Sequence, residues 1–151
     1  MKNALLVLHI MAVAAWLGGN LVLGFAGSYT KGADVAARRW WADTQGRMAK
    51  TYYNAAGVIV LLTGVGLVLT SDSLYKFSNA FVSIGFLVVI VGAALGILVF
   101  GPRSRDLVAA IDAGDEHKEQ ALNNRLAMFG MVDSLLLVVA IVAMVAKWGL
   151  G

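Results

Sequence analysis

The chain has 151 residues, of which 60% are hydrophobic and 14% charged, with a formal net charge of +3. That balance lies far from a soluble globular domain, and a mean hydropathy of +0.78 points to the bilayer as solvent. Interspersed acids and bases give no support to a nucleic-acid partner, and the lack of cysteine excludes disulfides, thiolate-bound zinc or iron–sulfur clusters and any thiol nucleophile.

A hydrocarbon core about 30 Å thick needs roughly 20 apolar residues in a helix. Four stretches meet that length, at 4–24, 53–70, 81–100 and 127–147. The expected fold is therefore all-α: a polytopic, antiparallel bundle of four transmembrane helices forming a single domain over residues 1–151. Lys2 ahead of an apolar run imitates a secretory signal, but the run is longer than a signal core and a second span follows, so it reads as the first helix.

The segment at 27–51 carries Lys31, Arg38, Arg39, Arg47 and Lys50, and Asp34 is placed to cap a helix that extends the second span. Trp40, Trp41, Tyr52 and Tyr53 fall where an interfacial aromatic belt is expected, with Trp148 at the other end of the bundle. Pro102, the sole proline, suits either the stop of the third span or the first position of a short amphipathic helix with Leu107 and Ile111 on one face. Gly114 then marks a turn before the acids that open the last helix. Nine of the twelve Lys and Arg residues lie at 27–51 and 101–126. The positive-inside bias puts these two loops in the cytoplasm and both termini outside, across a bacterial inner membrane.

Small residues mark where helices meet. Gly92 and Gly96 form a GxxxG pattern in the third span, and Ala14/Gly18 and Ala15/Gly19 repeat its spacing in the first. Such grooves serve packing within the bundle or a homo-oligomer or larger membrane complex.

Polar residues inside the spans are the candidate functional groups. His9, Trp16 and Asn20 share one stripe of the first helix, and Asp133 lies within the fourth, with Phe129, Ala140 and Met144 on its stripe. Because these helices run in opposite directions, Asn20 falls near the depth of Asp133 and His9 near that of Met144. Asp133 needs a partner, and Asn20, Asn54, Tyr53, Arg47, Lys50 and Arg125 are within reach. Asn20 with Asp133 reads as a polar clasp or as a stretch of a proton or small-solute pathway. His9 reads as an interhelix hydrogen bond or as a metal or haem ligand, with Met144 or Met11 as the soft second donor.

The stretches "LHIMAVAAWLGGNL", "GVIVLLTGVGLVL" and the segment from Gly101 to Gly149 together resemble an uncharacterised bacterial family of small four-helix integral membrane proteins. His9 followed by Trp16 and Gly18-Gly19 also resembles the membrane domain of the copper-resistance protein CopD and, more distantly, a haem-associated protoporphyrinogen oxidase family. The first of these two implies copper handling through His9, and the second implies haem b. No nucleophile–base pair is visible, and His117 lies in an acidic, solvated stretch. Three readings follow: a non-catalytic accessory or assembly component, a copper or haem binder at His9, and a proton or small-solute pathway.

Overall fold

The computed structural model describes residues 2–150. Its helices are α1 (Lys2–Thr30), α2 (Val35–Lys50), α3 (Tyr52–Leu69), α4 (Ala80–Leu95), α5 (Gly101–Asp112) and α6 (Glu116–Val145), with a π-helical turn at Gly96–Phe100. α2 runs into α3 and α4 into α5, which gives four long apolar helices of 29, 35, 33 and 30 residues. At 1.5 Å per residue they are about 44 to 53 Å long, well beyond the hydrocarbon thickness of about 30 Å. The fold is an all-α, four-helix membrane bundle. α1 packs on α3 and α6, and α4 packs on α6 and α3, so the four spans enclose one core.

That core is built from Ala12, Trp16, Ala56, Val60, Val88, Leu137 and Ala140. The outward faces carry large exposed apolar side chains such as Leu8, Met11, Leu62, Ile90 and Leu135, the composition of a helix surrounded by lipid. A second cluster, Ala42, Leu107, Ala110, Ile111, Leu122 and Leu126, lies where α2, α5 and the start of α6 meet. There the helices leave the apolar zone and become amphipathic, and Arg38 donates to both oxygens of the largely buried Glu119 at 3.1 and 3.0 Å. Arg39 pairs with Asp112 at 2.7 Å on the surface, and that hydrogen bond and charge hold the guanidinium more firmly protonated than usual.

Local signals place the ends of these helices. Asp34 Oδ1 accepts from Ala37 N at 2.8 Å and caps α2. Asp115 Oδ1 accepts from Lys118 N at 2.9 Å and caps α6, directly after Gly114 turns the chain at φ +69°. Pro102 does not stop the third span. It sits at the second position of α5, directly after the π turn, and the helix continues to Asp112. A proline inside a helix removes a hydrogen bond and crowds the carbonyl four residues back, and the wider π turn accommodates both effects.

The aromatic belt is only half as expected. Trp40 is 66% and Tyr52 37% exposed, whereas Trp41 is buried and Tyr53 turns inward against Trp16, edge to face at 6.4 Å. Consecutive residues on a helix point about 100° apart, so each pair splits between surface and core.

Candidate functional site

Two polar sites lie inside the spans. In the first, Asp133 on α6 is 3% exposed. The indole of Trp16 donates to its Oδ2 at 3.0 Å and the amide of Asn20 donates to the same oxygen at 2.8 Å. Both donors come from α1, four residues apart and hence on one face, so a single turn of α1 grips a single carboxylate of α6. Gly92 on α4 makes the arrangement sterically feasible: a Cβ there would stand 2.5 Å from Trp16 Cζ2 and 3.3 Å from Asp133 Oδ1. The GxxxG glycine thus admits an indole ring, while at Gly96 an added Cβ would meet nothing within 4 Å.

Two of the other expected partners of Asp133 are engaged elsewhere: Asn54 donates to Lys50 O at 2.8 Å and Arg47 pairs with Asp43. Tyr52, next to Tyr53, donates to Ala15 O at 2.7 Å. Tyr53 OH and Asp133 Oδ1 are both buried without a hydrogen-bond partner among the described residues. Sequence reasoning placed Trp16 on the correct stripe but looked for amides and long cations, and passed over the indole N–H as a donor. An indole offers one donor and no acceptor, which suits a carboxylate oxygen in an apolar surrounding.

The second site lies at the opposite end of the bundle from the basic residues of α2 and α5. A cavity of about 330 Å³ opens there between all four spans. His9 and Met144 both line it, and so do Lys2 and Lys147 at the helix ends. His9 is 7% exposed and its Nδ1 lies 2.9 Å from Thr63 Oγ1 on α3. Thr63 is the functional neighbour that sequence reasoning missed, since a threonine in an apolar span reads as a residue bonded to its own helix.

The threonine's own contacts assign the ring's tautomer. Its hydroxyl carries one hydrogen, and of the two backbone acceptors in reach, Ile59 O at 2.5 Å and Val60 O at 3.2 Å, the nearer takes it. Thr63 Oγ1 therefore accepts from His9 Nδ1–H, and the lone pair of the ring sits on Nε2. None of the hydrogen bonds among the described residues ends on Nε2. The Nδ1–Cε1 edge lies against α3, where a Cβ on Gly64 would be 3.4 Å from Cε1. Met144 is held on another wall, its methyl packed into the space left by Gly85 on α4. The two side chains thus share a cavity but are seated on different helices.

The donor set for a metal is one imidazole and one thioether. Among the described residues there is no group of three or more His, Cys, Asp or Glu side chains to complete a larger shell. One imidazole and one thioether are the donor types that a soft, low-coordinate ion such as Cu(I) takes, whereas a space of about 330 Å³ is too small for the four-pyrrole macrocycle of haem. Neither Asn20 nor Asp133 lines the cavity. No family model, curated protein or solved structure matches the chain.

Proposed function

We propose that the protein is a non-catalytic bundle of the bacterial inner membrane, an accessory or assembly component with the segments at 27–51 and 101–126 in the cytoplasm and both ends outside. The supporting observation is the use made of the polar groups within the spans. Asp133 ties α6 to α1, His9 ties α1 to α3, and Tyr52 ties α3 to α1. These groups hold helices together, and the one hydroxyl beside an imidazole, Thr63 at His9, gives its hydrogen to Ile59 O. Mild-detergent extraction should return the chain in a complex of fixed stoichiometry, and a reporter fused after Gly151 should behave as extracytoplasmic. A chain that elutes alone as a monomer overturns the accessory role, and a cytoplasmic reporter overturns the orientation.

A second reading is favoured by the tautomer of His9. A histidine whose Nδ1–H is held by a neighbour presents Nε2 in the orientation that metal-binding imidazoles adopt. Copper would be held by His9 Nε2 with Met144, and when bound would supply one-electron chemistry. Elemental analysis of protein purified after growth with copper tests this. Near-stoichiometric metal lost in His9→Ala supports it, and metal-free protein ends it.

A further inference from the structure

The cavity at the outer end combines features that a bare metal site does not need. Its walls are mainly apolar and include Tyr75, Phe81 and Phe86, and Tyr75 packs edge to face on Phe81 with ring centroids 5.4 Å apart. Its volume of about 330 Å³ is at the small end of the roughly 300 to 1,000 Å³ typical of ligand pockets, a size for one ring or two fused rings. Its one deeply buried polar side chain from the spans, His9, has a nitrogen lone pair with no donor among the described residues. His9 Nε2 is not among the fully buried unpartnered atoms and is reached from the cavity, so the ligand that suits it brings one O–H into an otherwise apolar space.

We propose that this cavity binds a lipophilic aromatic alcohol, drawn from the membrane, whose hydroxyl donates to His9 Nε2 while its ring packs among Phe81, Phe86 and Val89. The occupant is neutral at the His9 end, because imidazole Nε2 accepts a hydrogen bond and gives none in this tautomer. The two lysines do not select an anion as the main anchor: Lys2 is already paired with Asp72 across the rim. Thr63 is a positioning residue. By accepting Nδ1–H and donating to Ile59 O, it keeps the lone pair on the nitrogen that the ligand needs.

The full-length protein, stripped of metal with a chelator and placed in nanodiscs, is titrated with 2-naphthol, its methyl ether 2-methoxynaphthalene and 2-naphthoate. Saturable one-site binding of 2-naphthol is expected, with the ether weaker by about tenfold, the effect of one hydrogen bond. His9→Leu should bring 2-naphthol down to the level of the ether. Thr63→Val should weaken binding severalfold and Thr63→Ser restore it. Val89→Phe, which fills the space and leaves His9 in place, should abolish binding of alcohol and ether alike. Equal affinity for alcohol and ether overturns the proposal, as does tighter binding of 2-naphthoate, which would make Lys147 the anchor. Saturable binding unchanged by Val89→Phe also overturns it, by placing the ligand elsewhere. Copper binding without 2-naphthol binding overturns it too, and leaves the metal reading of His9 standing.

Discussion

Asp133 and His9 are buried almost equally, at 3% and 7% exposure, yet their surroundings are opposite. Asp133 is enclosed: two donors fall on one oxygen and an indole ring fills the space that a glycine leaves open. His9 has one contact on its α3 side and a cavity beside it. In a bilayer a polar group finds a partner or a wet or occupied space, and the bundle shows one solution of each kind. The enclosed group reads as structure, and the group beside the cavity reads as a place for a ligand.

The largest effect should come from crowding the enclosed site. Gly92→Ala puts a Cβ 2.5 Å from the Trp16 ring, so the indole or α4 must shift. Overpacking of this kind costs about 1 to 3 kcal/mol. Thermal unfolding in detergent should show a clear drop in Tm, whereas Gly96→Ala, with nothing within 4 Å, should show none. Equal tolerance of the two substitutions would mean that Trp16 is not held against α4, and the contrast with the His9 end would lose its basis.

Asp133 itself comes next. Asp133→Leu removes the acceptor and leaves Trp16 N–H and the Asn20 amide unpaired, at a cost of about 1 kcal/mol, since interhelix hydrogen bonds in membranes average near 0.6. Asp133→Asn keeps an acceptor oxygen and should stay close to the parent. Loss of a membrane carboxylate is itself favourable. An unchanged or raised Tm for Asp133→Leu would therefore count against a clasp and for a functional carboxylate.

Much of this was legible in the sequence, and the omissions share a cause. Span number, the caps at Asp34 and the turn at Gly114 follow from length, capping chemistry and φ, all of which are local. The meeting of Asn20 with Asp133 follows from helix direction and rise, which need only topology. What escaped depends on the third dimension of packing. Trp16 as a donor, Thr63 as the partner of His9, and Gly92 as the seat of an indole each require knowing which helix stands opposite. The π turn before Pro102 escaped for a different reason. A proline at the end of an apolar run signals a stop when the helix is taken alone, but α5 packs on α2 and α6 and is held in line.

At the open end, His9→Leu should cost less than Asp133→Leu, below about 1 kcal/mol, because only the bond to Thr63 is lost and leucine suits the neighbouring apolar walls. Thr63 keeps its own acceptor at Ile59 O, so no donor is stranded. Helical content by circular dichroism should be unchanged. A loss larger than that of Asp133→Leu would show that His9 is a main tie of the bundle, and would erase the distinction between the two ends.

The smallest effect is expected at Gly64, the glycine beside His9 that corresponds to Gly92 beside Trp16. A Cβ at Gly64 would stand 3.4 Å from His9 Cε1 and 3.8 Å from Nδ1, ordinary contact distances that the ring can meet with little movement. Replacing glycine by alanine at a compatible helical position contributes about 0.4 to 1 kcal/mol through the lower entropy of the unfolded chain. Any slight crowding of the imidazole offsets part of that gain, so the Tm of Gly64→Ala should match or slightly exceed the parent. The methyl also presses from the α3 side, where Thr63 already holds Nδ1, and so leaves the lone pair of Nε2 in place. A loss comparable to that of Gly92→Ala would show that the ring is as tightly enclosed as the indole. The space beside it would then be a packing gap, unable to admit a ligand without movement of α1 against α3.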